Sequence, residues 1–144
     1  MNSDPYNLKR FLDAQATIYD RVLAELTDGQ KRSHWMWYIF PQYKALGFSS
    51  MSKKYAIKSL DEARAYLNHP ILGDRLLECT RTVLGITGRS VHEIFGSPDD
   101  LKLRSCATLF SVVSPADSLF VQLLERFYNG QRDAKTLQLL GLEK

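Results

Sequence analysis

Residues 8–26 read LKRFLDAQATIYDRVLAEL, and the spacing of their apolar side chains indicates the fold class. The apolar positions lie three or four residues apart, at Leu8, Phe11, Leu12, Ile18, Tyr19, Val22, Leu23 and Leu26. This spacing is the period of an amphipathic helix, and Gly29 is placed to end that helix. The pattern therefore predicts one long helix near the start of the chain.

Helix start and stop signals continue through the rest of the chain. Ser59-Leu60-Asp61-Glu62 and Ser90-Val91-His92-Glu93 have the pattern of capping boxes, and prolines follow serines at Ser97-Pro98 and Ser114-Pro115. These signals and the apolar spacing predict helices over residues 59–67, 71–84, 90–96, 97–113, 114–128 and 133–141. The glycine and serines of residues 42–58 indicate an irregular connection with a short helix. No alternating strand pattern is present, so we expect an all-α, compact single-domain bundle of about seven to eight short-to-medium helices.

Length and composition limit the class of protein. The chain has 144 residues, 44% of them hydrophobic and 24% charged, which is typical of one globular domain over residues 1–144. The net charge is +3, and the lysines and arginines are spread along the chain among acidic residues, so we do not expect a nucleic-acid partner. No apolar run has membrane-spanning length, so we expect no membrane association and a cytoplasmic location. The oligomeric state stays open.

The aromatic run HWMWYIFPQ, residues 34–42, contains both tryptophans and directly follows Lys31-Arg32 and Ser33. If it is helical, the run is apolar on every face, and such a helix is normally buried. The polar residues at both of its ends favour a second interpretation, because aromatic faces beside cations bind bases and phosphates. The sequence leaves both interpretations open.

The second interpretation predicts a ligand site in the segment Lys31–Gln42. Its predicted ligand-binding residues are Lys31, Arg32, His34, Trp35, Trp37 and Gln42, with Gln15 and Tyr19 from the first helix. A tryptophan ring would stack on the ligand, the two cations would meet its anionic groups, and the glutamines would orient it. Gln15 also fits an internal role, since a buried amide needs hydrogen-bond partners. Catalytic residues are unknown, and His34 is the one candidate for proton transfer.

The sequence shows no pattern for a metal or a cofactor. The three histidines have no metal-ligand spacing, and neither a Walker A sequence nor Gly-x-Gly-x-x-Gly occurs, so we expect no metal and no cofactor. Cys79 and Cys106 fall in apolar helical patterns and are expected to be small buried hydrophobes. Ser105 is expected to bond back to a carbonyl of its own helix rather than act as a nucleophile.

Several segments together resemble a known family. They are Ala14-Gln15 with Tyr19, the run over residues 32–42, Lys54-Tyr55-Ala56-Ile57, EIFGSPDDLK at residues 93–102, and Thr108-Leu109-Phe110. The chain resembles, over nearly its whole length, an uncharacterised bacterial family of unknown function whose members are often labelled "calpastatin". The resemblance implies a compact, mainly helical single domain with no established activity. The label does not suit a compact, apolar-patterned chain, since calpastatin-type inhibitors are disordered.

Two hypotheses for the function follow. The first is a binding module or enzyme for a small nucleotide-like or phosphorylated, anionic metabolite at Lys31–Gln42, with hydrolysis of a C–N or phosphoester bond as the reaction to test. The alternative is a protein–protein interaction module without catalysis, in which the aromatic run is purely structural core. A concave cavity that reaches His34 and a tryptophan favours the first, and closed packing of both indoles favours the second.

Overall fold

The computed structural model describes residues 4–44 and 49–142, and 61% of these residues are helical. Ten helices lie in the described ranges: α1 Lys9–Gln15, α2 Tyr19–Thr27, α3 Met36–Ile39, α4 Ser50–Lys54, α5 Leu60–Asn68, α6 Leu72–Leu84, α7 Val91–Phe95, α8 Asp99–Val112, α9 Leu119–Tyr128 and α10 Ala134–Leu140. The one β feature among these residues is an isolated bridge between Tyr43 and Ile57. The all-α prediction is confirmed. Seven helices have seven or more residues, and the short α3, α4 and α7 bring the total above the predicted seven to eight.

The prediction of one long first helix is wrong, because the chain turns between α1 and α2. Ala16 and Thr17 are exposed at the turn, and the Ile18 amide donates to the Gln15 carbonyl at 3.2 Å, three residues back rather than four. Apolar side chains on both sides of the turn face the same core, so the spacing in the sequence passes through the break without a sign of it.

The structure confirms some of the predicted helix caps fully and one of them in part. Ser90 and Glu93 form the full reciprocal capping box, and Asp133 caps α10 through a bond from the Thr136 amide at 2.9 Å. Ser59 accepts a bond from the Glu62 amide at 3.0 Å, but the Glu62 carboxylate binds Arg10 instead of returning to Ser59. The predicted cap is therefore present at Ser59, without the reciprocal half of the box.

Two predicted helix starts need correction. The helix α8 has Pro98 at its N-cap and no side-chain cap bond, so Ser97 does not cap it. The helix α9 begins at Leu119 rather than near Ser114, because the Ser118 hydroxyl accepts a bond from the Val121 amide at 3.4 Å. Both serine–proline pairs suggested an earlier cap than the structure uses.

The core centres on α8 and α6. The described helices α5, α7, α9 and α10 pack on α8, and α2, α5 and α9 pack on α6. Along α8 every residue from Ser105 to Ser111 is buried, which is why this helix has no polar face over its second half. The Thr108 hydroxyl accepts a bond from the Asp133 amide at 2.8 Å and so attaches the start of α10 to α8. No helix in the described ranges is both long and apolar enough to span a bilayer.

Candidate functional site

The aromatic run divides between the core and a cavity, and Trp35 belongs to the core. Its side chain is fully buried, and its ring packs edge-on against Phe95 at a centroid distance of 6.4 Å. The indole N–H donates to a Glu25 carboxylate oxygen at 2.9 Å. A buried indole with its one polar group satisfied is a structural tryptophan, with no ring face open to a ligand here.

Glu25 organises the segment that leads into the run. Its carboxylate accepts bonds from the backbone amides of Arg32 at 2.8 Å and Ser33 at 3.0 Å, and from the Ser33 hydroxyl at 2.6 Å. Burial by itself raises the pKa of Glu25, but these bonds together with the Trp35 indole outweigh burial and hold the pKa at about 2. The carboxylate therefore stays ionised and fixes the backbone before α3.

Trp37, two residues further on, lies at a cavity of about 600 Å³. The described residues that form the cavity come from α3, α4, the first two turns of α8 and the start of α10, and from positions next to these helices. Its described lining residues are Trp37, Gln42, Ser49, Ser52, Pro98, Leu101, Lys102, Ser105, Asp133 and Lys135. This volume falls within the range of sites for small molecules.

A chain of alternating charges and rings runs from the core to this cavity. The Lys31 ammonium lies 4.9 Å from the centre of the Trp35 ring and forms an ion pair with Asp99 at 2.9 Å. Asp99 also pairs with Lys102 at 3.3 Å, and the Lys102 ammonium lies 4.8 Å from the centre of the Trp37 ring. One carboxylate therefore shares its charge between a buried lysine and the lysine that lines the cavity.

The hydroxyls of the three described lining serines already donate hydrogen bonds within the protein, Ser49 to the Ser52 hydroxyl oxygen at 3.2 Å and the other two to carbonyls. Ser105 donates to the Leu101 carbonyl at 3.2 Å, as the sequence predicted, and Ser52 donates to the Ser49 carbonyl at 2.8 Å. Each hydroxyl oxygen therefore presents lone pairs to the cavity rather than a proton. These oxygens suit hydroxyl or amino donors on a ligand.

The wall formed by Gln42 and α4 is tied to the body of the protein. The Ile57 amide donates to the Gln42 carbonyl at 2.9 Å, and the Lys44 amide donates to the Ile57 carbonyl at 2.9 Å. The buried Arg10 guanidinium donates to the Lys54 carbonyl at 2.7 Å and to the Ala56 carbonyl at 2.9 Å. The two ends of the segment are thus held by backbone bonds and by one arginine.

A family model described as "protein of unknown function (DUF1810)" matches residues 5–140 of the chain. The chain belongs to this family. The conserved hypothetical protein Rv1873 from Mycobacterium tuberculosis, known from a crystal structure, is similar to the DUF1810 protein with 52% identity and a TM-score of 0.94. The match covers 96% of this chain and 99% of that one. No curated protein matches.

The comparisons confirm part of what the resemblance implied. A family of unknown function and the shared helical fold are both found, whereas neither description contains the word calpastatin. They attach no ligand, reaction or partner to the DUF1810 chain.

The residues predicted from the sequence do not meet in one place. Trp37 and Gln42 line the cavity, whereas Gln15 is buried, donates to the Tyr38 carbonyl at 2.7 Å and accepts from Arg75 at 3.2 Å. This is the internal role that the sequence left open for Gln15. Tyr19 lies elsewhere on the DUF1810 fold, where its hydroxyl donates to Glu78.

The charged residues of the predicted site also fall outside the lining of the cavity. Lys31 has a side chain only 7% exposed and committed to Asp99. Arg32 is exposed and pairs with Asp28 at 3.2 Å, and the His34 side chain is exposed. The structure therefore places Lys31 behind the cavity wall, and neither Arg32 nor His34 lines the cavity.

Sequence reasoning missed Lys102, Lys135 and the Ser52 side of the site. Lys102 follows the acidic residues in the first turn of α8 and Lys135 lies in the first turn of α10, where the sequence shows only ordinary helix chemistry. Their relation to Trp37 depends on how α8 and α10 pack, and no spacing along the chain indicates it. Among residues 4–44 and 49–142, no group of histidine, cysteine, aspartate and glutamate is arranged to hold a metal ion.

Proposed function

We propose that this DUF1810 protein binds a small nucleotide-like or phosphorylated metabolite in the cavity at Trp37. One observation carries the proposal: a half-buried indole and an ammonium group 4.8 Å from its centre line the same 600 Å³ cavity. Tryptophan faces stack on planar groups, and a lysine beside such a face supplies charge for an anionic substituent.

The remaining lining groups support the same ligand class. Gln42 has an amide that both donates and accepts, and the oxygens of Ser52 and Ser105 accept. Pro98 and Leu101 add apolar surface to the same lining. A cavity with apolar surface and a few polar groups is the usual form of a small-molecule site.

The proposal is one of binding and assigns no catalytic step. His34, the proton-transfer candidate from the sequence, has an exposed side chain that does not line the cavity. Lys102 is paired with Asp99, and the Asp133 carboxylate is occupied by the Thr136 amide and hydroxyl at 2.9 and 2.7 Å. The lining residues are therefore proposed to hold a ligand rather than to transform it.

The test is a calorimetric titration with the four common ribonucleoside 5′-monophosphates, the matching nucleosides, ribose 5-phosphate and inorganic phosphate. We expect a nucleoside monophosphate to bind, and Trp37→Ala to weaken that binding about tenfold or more, since stacking contributes roughly 1–3 kcal/mol per base. If no compound of the panel binds the folded wild-type protein, the proposal is wrong and the interaction-module alternative gains.

Arg32→Ala and His34→Ala provide matched controls because both side chains are exposed and close in sequence to Trp37. Since neither lines the cavity, both variants are expected to bind as the wild type does. Loss of binding in either folded variant would favour a site that includes Arg32 or His34, as the sequence alone suggested.

A further inference from the structure

We infer that the ligand of the Trp37 cavity carries a phosphate monoester, a dianion, which Lys102 and Lys135 bind together. This inference rests on the proposed function and specifies the charge of the ligand. It follows from the charges of the described lining residues and of their ion-pair partners.

The charged groups at the cavity do not balance. The described lining contributes Lys102, Lys135 and Asp133, and the ion-pair partners of these residues add Asp99, Lys31 and Arg104. Four cations and two carboxylates leave two positive charges. A monoester phosphate carries close to two negative charges at neutral or slightly alkaline pH, so it matches this excess.

The two carboxylates are already engaged. Asp99 lies nearer to Lys31, at 2.9 Å, than to Lys102, at 3.3 Å, and Lys31 is the more buried of the two lysines. Asp133 accepts two bonds from Thr136 and lies 3.7 Å from Arg104. The shared carboxylate leaves Lys102 only partly neutralised, and Lys135 has no ion pair within the described part of the chain.

The donor groups point to the same place for the anion. The hydroxyls of Ser49, Ser52 and Ser105 all donate to groups of the protein. Among the described lining side chains, the two lysines and the Gln42 amide are therefore the donors left for the phosphate oxygens. The hydroxyl oxygens remain as acceptors for the uncharged part of the ligand. The net positive charge and the available hydrogen-bond donors therefore both favour an anion bound at the two lysines.

The test compares ligands that differ in charge and little else, at pH 8 and low ionic strength. For each of the four bases, the nucleoside, the methyl ester of the 5′-monophosphate and the 5′-monophosphate carry about zero, one and two negative charges. We expect affinity to rise about tenfold with each charge and to fall with added salt, as charge-assisted bonds at a partly exposed site do.

Each outcome of this series has a separate meaning. If the monoester and its methyl ester bind equally, the dianion inference is overturned while the proposed function stands. If no ligand of any charge binds, the proposed function itself fails. Ribose 5-phosphate and inorganic phosphate then separate a requirement for the phosphate alone from a requirement for the ring on Trp37.

Two lysine variants assign the charge to its residues. Lys102→Met and Lys135→Met should each reduce the preference for the monoester over its methyl ester by about tenfold, because each removes one cation and keeps the aliphatic length. Lys9→Met, in which an exposed lysine of α1 is replaced, should leave that preference unchanged. Equal behaviour of all three variants would overturn the assignment.

Asp99→Asn is the most decisive variant, because it is expected to raise the affinity for the monoester, whereas a substitution that disturbs the structure would lower it. Loss of this carboxylate releases Lys102 from its ion pair, so the monoester should bind several-fold more tightly in the folded variant. A carboxylate with only a structural role would make binding weaker when it is removed. Weaker or unchanged binding in a variant with wild-type circular dichroism would therefore contradict the inference.

Discussion

At the scale of single residues, Glu25 and Trp35 show how one buried carboxylate positions a segment through hydrogen bonds from uncharged donors. Glu25 accepts four hydrogen bonds, from two backbone amides, a hydroxyl and an indole, and it is only 5% exposed. Donors of this kind stabilise the ionised form as an ion pair would. The turn before α3 therefore depends on the charge of one side chain.

The stability of the fold should accordingly depend on pH in the acid range. The pKa of Glu25 is about 2 in the folded protein and near 4.5 in the unfolded chain, so its contribution is present above about pH 4.5 and is lost as the pH falls towards 2. The lowered pKa corresponds to about 3 kcal/mol of unfolding free energy. Urea unfolding from pH 7 to pH 2.5 measures this loss.

Glu25→Gln is the matched variant for that measurement. It should unfold with about 2–3 kcal/mol less free energy at pH 7, because an amide cannot accept all four bonds, and it should lose less stability towards pH 2.5. An acid-induced loss as steep as that of the wild type would assign the pH dependence to other carboxylates.

The two tryptophans should respond differently to a quencher. Trp37 is half-buried at the cavity and Trp35 is fully buried, so the wild-type emission should contain one component that acrylamide quenches and one that resists it. Trp37→Phe should leave only a blue-shifted, quencher-resistant emission. Trp35→Phe serves as the control and should keep the quenchable component; strong quenching of Trp37→Phe would contradict the division of the run.

At the scale of elements, close approach of α5 and α6 depends on one glycine. A Cβ built on Gly73 would lie 1.9 Å from the Leu67 carbonyl oxygen, so the first turn of α6 packs directly on the end of α5. The His69 imidazole lies between these helices and accepts bonds from the Ile71 and Leu72 amides at 3.1 and 3.2 Å. Backbone contact and an imidazole cap therefore fix the sharp turn between them.

Gly73→Ala should lower the unfolding free energy by at least about 2 kcal/mol, because the added methyl group overlaps backbone that cannot move aside cheaply. Gly85→Ala is the control on the same helix, since its Cβ would meet no atom closer than 3.4 Å and its φ of −78° is ordinary. That control should be neutral or slightly stabilising. Urea titrations followed by circular dichroism compare the two, and equal effects would contradict the close contact.

At the scale of the whole molecule, one buried cluster includes side chains from all parts of the described chain, from Leu8 to Leu124. The helix α8 has packing partners on several sides, and residues of α3, α4, α8 and α10 line the cavity at Trp37. Since no separate second cluster divides these residues, the two ends of the described chain depend on the same core.

A shared core predicts a single cooperative unfolding transition. Tryptophan fluorescence reports on the region around residues 35 and 37, whereas circular dichroism reports on every helix, including α8 to α10 in the second half of the chain. The two urea unfolding curves should coincide, as expected for a single domain of this size. A fluorescence transition at a lower urea concentration than the circular dichroism transition would show that the aromatic region unfolds separately.

Local chemistry explains which predictions from the sequence succeeded. The Ser90–Glu93 box and the Ser59 cap were predictable, because each depends on side chains within three residues of one another. The break after Gln15 was not predictable, since the apolar spacing continues through it and the apolar side chains on both sides of it pack on the same core.

The sequence by itself determined the helical class, most helix ends and the aromatic run as the place to search. Only the tertiary structure decided that Trp35 lies in the core and Trp37 at a cavity. Trp35 is the non-helical N-cap of α3 and Trp37 is the second residue of that helix, so two identical side chains two residues apart meet different surroundings. Lys102 and Lys135 join Trp37 at one cavity because Lys102 of α8 lies over the Trp37 ring and α10 packs on α8, and such packing depends on the whole core rather than on any local pattern.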